Sequence, residues 1–129
     1  MKIIFSPPPN INEITKVFPV LPESMVFCWG NVIHNPSGQD LADHIQIHEL
    51  VHSNQQGGNP KEWWNKYLND KEFRLSQELQ AYQRQYQFAK VWLKDRNDLA
   101  RFLWKLAQDL SGLYQYDILF SEAMEKIKQ

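Results

Sequence analysis

Helix start and stop signals recur along this chain from residue 37 onward, and they limit its fold more than any other feature of the sequence. Residues 59–62 (Asn-Pro-Lys-Glu) supply an N-cap asparagine, a proline at the first helical position and a glutamate three residues after the cap. Residues 37–40 have the spacing of a capping box, and Gly57 and Gly58 end the helix that follows. The sequence therefore predicts one helix over residues 40–56 and another that begins at residue 60.

Three more helices are predicted beyond residue 70. Residues 72–93 carry apolar side chains at helical spacing, Asn97 caps a further helix that Gly112 ends, and the last helix covers roughly residues 117–128. The stripe predicted to be buried on the helix over residues 72–93 consists of Leu75, Leu79, Tyr82, Tyr86, Ala89 and Leu93.

Strands are predicted only near the N-terminus. Residues 10–18 have helical spacing, whereas residues 25–29 and 31–34 are β-branched and aromatic runs separated by Gly30, typical of a strand or a small hairpin. A small strand or hairpin followed by about five helices is an α+β fold dominated by helix. The length of 129 residues fits a single domain over residues 1–129.

The amino-acid composition limits the classes of partner that the protein is expected to bind. A net charge of −1 and a pI near 6.4 give no attraction for nucleic acid or for an anionic membrane surface. The apolar run before residue 6 is too short for the core of a signal peptide, and no stretch approaches the length of a membrane span. A single cysteine, Cys28, excludes an internal disulfide and fits a reducing compartment. We therefore expect a cytoplasmic protein with no nucleic-acid or membrane partner.

The segment His48-Glu49-Leu50-Val51-His52 lies inside the predicted helix 40–56. It is the segment that most clearly indicates a chemical function. His48 and His52 are four residues apart and project from one helix face, so both imidazoles can reach one metal ion. Glu49 lies about 100° further round the helix, close to such an ion without displacing its water. The pattern predicts a zinc site with His48 and His52 as ligands and Glu49 as the general base.

A catalytic zinc needs a third protein ligand and one open coordination position. Glu78, in the segment Glu78-Leu79-Gln80-Ala81-Tyr82 of the predicted helix 72–93, is the candidate. Cys28 is the alternative, since peptide deformylases pair the same motif with an upstream cysteine. Its flanking residues, Phe27 and Trp29, favour a buried thiol on a strand.

The two motifs together resemble the gluzincin metallopeptidases, in which HExxH is followed by a glutamate on a second helix and a small alanine lets the two helices approach. Residues 31–85 are similar to minimal gluzincin-like proteins of phages and bacteria. The resemblance implies a zincin-like domain in a bacterial or phage-infected host cell, with zinc bound by His48, His52 and Glu78. Several gluzincins carry an acidic residue four positions after the ligand glutamate, where this chain has Tyr82. Tyr82 is therefore either catalytic, orienting a histidine or donating to an oxyanion, or a core aromatic.

The expected activity is zinc-dependent hydrolysis of a peptide or protein substrate. Glu49 takes a proton from the activated water and passes it to the leaving amine. An edge strand formed by Val32, Ile33 and His34 is expected to hold an extended peptide by strand addition, and a plain structural strand is the alternative. Tyr82, Tyr86, Tyr67, Arg74 and His34 are all candidate donors to the oxyanion.

Two other functions stay open at this stage. Zinc could hold helices together in a catalytically silent binding module, or the site could hydrolyse an amide other than a peptide. In the second case Trp63, Trp64 and Tyr67 could line the cleft, although core packing is the commoner role of such a cluster. His34 is expected at the surface or bordering the cleft. His44, one turn before His48, is expected in the cleft wall, near the ligands, or exposed.

Overall fold

The structure is a computed structural model that describes residues 1–18, 25–114 and 118–129. These residues contain three short strands and six helices. Helix dominates and a small sheet lies near the N-terminus, so the predicted α+β class is confirmed. Within these residues, no helix combines the length and apolarity needed to cross a lipid bilayer. The elements are β1 (Lys2–Ile4), α1 (Ile11–Val17), β2 (Phe27–Trp29), β3 (Val32–His34), α2 (Asp43–Gln56), α3 (Pro60–Asn69), α4 (Lys71–Trp92), α5 (Arg96–Gly112) and α6 (Phe120–Lys128).

The chain divides into two compact units, Met1–Asp70 and Lys71–Gln129. The first unit contains the sheet with α1, α2 and α3, and the second contains α4, α5 and α6. The assignment of residues 1–129 to a single domain stays a prediction.

The sheet has the order β1-β3-β2, so β3 is its central strand. β2 and β3 form the predicted antiparallel hairpin, which turns at Gly30 with a positive φ of 63°. β1 runs parallel to β3 and pairs Ile3 with Ile33. The sequence did not predict β1, because its three residues show no alternation and its partner lies some thirty residues further along the chain.

The predicted capping box before α2 does not form. The helix begins at Asp43, after Ala42 in an extended conformation at the N-cap. The Ser37 hydroxyl instead donates to Asn35 Oδ1 at 3.1 Å and accepts from the Gln39 backbone N–H at 3.2 Å. Asn35 Nδ2 donates to the Gln39 carbonyl at 2.6 Å. The side chain predicted to cap the helix therefore stabilises the turn that precedes it.

The other helix starts agree with the sequence to within a few residues. The Asn59 side chain accepts from the Glu62 backbone N–H at 3.2 Å, as predicted for α3. For α5 the predicted cap, Asn97, is wrong, because the Asp95 carboxylate accepts from the backbone N–H groups of Asn97 and Asp98. α6 begins at Phe120, and residue 117, its predicted start, lies outside the described residues.

α4 buries two different faces. The half-buried Leu75, Leu79 and Tyr86 belong to the predicted stripe and pack against the core of the second unit. A second buried face carries polar residues that apolar spacing cannot predict: Arg74, Glu78 and Gln85. The core of the second unit consists of Tyr82, Leu103, Leu106, Ala107, Leu110, Ile118, Ala123 and Ile127.

Candidate metal centre

Gln56, the last residue of α2, fixes this helix to the β2–β3 hairpin. Its Oε1 accepts from the Gly30 backbone N–H at 2.6 Å, and its Nε2 donates to the Cys28 carbonyl at 2.9 Å. The Trp64 indole N–H of α3 donates to the same carbonyl at 2.9 Å. Gly57 then ends α2 in the left-handed conformation with a φ of 57°. These bonds tie the helix that carries His48, Glu49 and His52 to the sheet.

His48 and His52 point their ring nitrogens at each other. Both side chains are buried, and their Nε2 atoms are 3.1 Å apart. Two nitrogens bound to one tetrahedral zinc at about 2.05 Å would be about 3.3 Å apart. The observed separation therefore fits two imidazoles that share one metal ion, as the spacing of the motif predicted.

The other ring nitrogen of His52 is bonded on the same helix. His52 Nδ1 lies 2.8 Å from Oε1 of Gln55. An amide oxygen can only accept, so Nδ1 of His52 is the donor in this hydrogen bond. Gln55 is not among the residues predicted from the sequence, although its position three residues after His52 places it on the same helix face.

An aromatic cluster of α3 covers one face of His52. The Trp63 ring centroid is 5.3 Å from that of His52, and Trp63 stacks on Tyr67 at 4.9 Å. Trp64 contacts both of these rings, and all three side chains are buried. The cluster therefore packs as core in the first unit, the commoner of the two roles considered for it, and limits rotation of the His52 imidazole.

Glu49 is also buried, with 6% of its surface exposed. Its negative charge acts on Cys28, a residue of β2. Burial, and then the negative charge of Glu49, raise the pKa of the Cys28 thiol far above its ordinary value. Cys28 Sγ donates to the Gly30 carbonyl at 3.3 Å. Cys28 is therefore the buried strand thiol that its flanking residues favoured, in a setting that disfavours the thiolate needed for metal binding.

Glu78 is buried on α4, 4% exposed, one turn after the buried Arg74. A group of possible metal ligands consists of His48, His52 and Glu78. Each offers one ligand atom, and these three atoms all lie within 4.8 Å of one another. Two imidazole nitrogens and one carboxylate oxygen are a donor set that suits zinc and several other divalent metals. This buried group could therefore hold a metal ion.

Tyr82 is a core residue of the second unit. Its side chain is buried in the cluster formed by α4, α5 and α6, and its hydroxyl lies 2.7 Å from that of Tyr114. This observation matches the structural alternative stated for Tyr82, and its catalytic role stays a prediction. Of the other candidate oxyanion donors, Tyr67 and Arg74 are buried and Tyr86 is half-buried.

The interpretation of Val32, Ile33 and His34 as an edge strand is wrong. β3 pairs with β1 on one side and with β2 on the other, so its backbone is not available for strand addition. The His34 ring is buried, not at the surface, and its Nδ1 lies 3.1 Å from the Ser6 carbonyl. Burial lowers the pKa of His34, while its hydrogen bonds to the backbone of Ser6 and Pro7 act in the opposite direction.

His44, one turn before His48, is half-buried. Burial lowers its pKa, the charge of His48 acts in the same direction, and Asp43 opposes them.

A separate cleft of about 640 Å³ lies between α1 and α3 of the first unit, and no residue of the metal-binding group lines it. The lining residues include Asn10, Trp29, Trp64 and Leu68.

Comparison of the chain with protein-family models, with curated proteins and with solved structures found no match. The function of the protein is therefore inferred from the chemistry of the group formed by His48, His52 and Glu78.

Proposed function

We propose that this chain is a zinc-dependent metallopeptidase of the gluzincin type, with His48, His52 and Glu78 as metal ligands and Glu49 as the general base. The observation that carries the proposal is the buried group of two imidazoles and a carboxylate, with ligand atoms within 4.8 Å of one another. The same helix that carries both histidines also carries a buried glutamate next to the first of them.

The ligand set leaves room for catalysis. Three protein ligands are one fewer than a closed structural zinc site uses, so a zinc ion held by them would keep one position for water or substrate. Zinc bound there would supply Lewis acidity, polarising a carbonyl oxygen and making water more acidic. These are the requirements for hydrolysis of an amide bond near neutral pH.

Glu49 is the residue that would move the proton. Its position, one residue after His48 on α2, would bring its carboxylate near a metal ion bound by the histidines without making it a ligand. It would accept a proton from the attacking water and deliver it to the nitrogen of the leaving amine as the C–N bond breaks.

The first test is the metal content of the purified protein. We expect about one zinc per chain in the wild type by elemental mass spectrometry, and zinc affinity at least about tenfold weaker in Glu78→Ala. Glu72→Ala is the matched control, because Glu72 is an exposed carboxylate on the same helix. Circular dichroism checks that both variants keep their helices.

Two outcomes would contradict the proposal. A wild-type protein that holds no stoichiometric metal, even after zinc is added, would remove the metal centre. Equal zinc affinity in the wild type and in Glu78→Ala would remove Glu78 from the ligand set.

A further inference from the structure

We propose that Gln55 is a positioning residue that sets the tautomer of His52 and thereby prepares the metal-binding pair. This inference rests on the proposed metal centre, and it concerns the hydrogen atom of His52, whose position the ligand set alone does not define. It assigns an orienting role to a residue of α2 itself.

The geometry on α2 begins at the amide of Gln55. Its Oε1 lies 2.8 Å from Nδ1 of His52, and this oxygen has no hydrogen to give. The hydrogen of that bond therefore belongs to Nδ1 of His52. A neutral imidazole carries one hydrogen, so Nε2 of His52 keeps its lone pair and points it at His48.

The second nitrogen of His52 faces the other histidine of the proposed site. The two Nε2 atoms are 3.1 Å apart, so the nitrogen that Gln55 leaves without a hydrogen is the one that lies beside His48.

A histidine binds a metal ion through a nitrogen that carries a lone pair. Because Gln55 holds the hydrogen of His52 at Nδ1, His52 would bind a metal ion through Nε2 without a change of tautomer. Interactions of this kind at the far nitrogen typically change metal affinity by about 10- to 100-fold.

Three variants test the role of Gln55. Gln55→Leu removes the acceptor with little change in helix propensity. Gln55→Glu keeps an acceptor and makes it a stronger one. Asn54→Leu is the matched control, because Asn54 is an exposed amide on the same turn of α2. Zinc affinity, measured by competition with a chromophoric chelator, should fall about 10- to 100-fold in Gln55→Leu, and should be retained or raised in Gln55→Glu.

A second measurement reports the tautomers directly and does not need the metal. In ¹⁵N-labelled wild type prepared without metal, long-range ¹H–¹⁵N correlation spectra should show His52 protonated at Nδ1. His52 should lose its preference for Nδ1–H in Gln55→Leu and keep it in Gln55→Glu. Zinc should leave His52 of the wild type in the Nδ1–H form.

The two proposals can fail separately. Zinc binding by the wild type with unchanged affinity and unchanged His52 tautomer in Gln55→Leu would overturn the role of Gln55 and leave the metal centre intact. A tautomer that depends on Gln55 in a protein that never binds zinc would support the positioning role and overturn the proposed function.

Discussion

Single residues of the first unit differ sharply in their suitability for metal binding. His48 and His52 converge through their Nε2 atoms at 3.1 Å, which suits two ligands of one ion. A cysteine thiolate is a good zinc ligand, but burial and the charge of Glu49 raise the pKa of the Cys28 thiol, which disfavours the thiolate. The buried metal-competent group found in the described residues contains Glu78 and does not contain Cys28. The chemistry at this scale therefore favours Glu78 over Cys28 as the third ligand.

The clearest prediction for a single residue concerns Glu49. Glu49→Gln removes the base but keeps the size and burial of the side chain, so zinc content should stay at the wild-type level. Hydrolysis of a peptide library, followed by mass spectrometry, should fall by about 10²- to 10⁴-fold. Glu72→Gln, which changes an exposed carboxylate of α4, should leave both properties unchanged.

Two results would count against this assignment. Full peptidase activity in Glu49→Gln would show that another group acts as the base. A wild-type protein that binds zinc but cleaves no member of the library would favour the catalytically silent zinc-binding module.

At the scale of secondary structure, the position of α2 depends on one side chain at its C-terminal end. Gln56 joins the helix to Gly30 and to Cys28 with hydrogen bonds of 2.6 and 2.9 Å. In Gln56→Ala the Gly30 N–H loses its acceptor, whereas the Cys28 carbonyl keeps the Trp64 indole. We expect the free energy of unfolding to fall by about 2 kcal/mol, measured by urea denaturation, and zinc affinity to weaken.

Asn54→Ala is the control for this change. Asn54 is an exposed amide two residues earlier on α2, so its removal should change the free energy of unfolding by less than about 0.5 kcal/mol. Equal stability of Gln56→Ala and Asn54→Ala would show that the two bonds do not hold the helix against the hairpin.

The elements also show how far the sequence could predict this structure. The HExxH helix, its glycine stop at Gly57 and the Asn59 cap of α3 follow from local chemistry, and the structure has them. The central place of β3 could not be predicted, because it depends on the pairing of Ile3 with Ile33, residues far apart in the chain. The contact of Gln55 with His52 was not predicted for a different reason. Its spacing from His52 allowed the contact, but exposed glutamines at that spacing are common on helices and do not indicate a hydrogen bond by themselves.

For the whole molecule, metal binding would link the proposed site to the stability of the native fold. His48 and His52 lie on α2 and Glu78 lies on α4, and their ligand atoms lie within 4.8 Å of one another in the folded chain. An unfolded chain rarely holds such a site together, so we expect metal to bind the native state and to stabilise it.

This expectation can be tested by measuring the free energy of unfolding at different zinc concentrations. A ligand that binds only the native state adds RT ln(1 + [L]/Kd) to the free energy of unfolding. At free zinc 100 times the wild-type Kd the gain should be about 2.7 kcal/mol, measured by urea denaturation in zinc-buffered solution. Glu78→Ala, with affinity tenfold weaker, should gain only about 1.4 kcal/mol at the same zinc concentration. Glu72→Ala should gain as much as the wild type, and an equal gain in Glu78→Ala would show that zinc stabilises the protein through other residues.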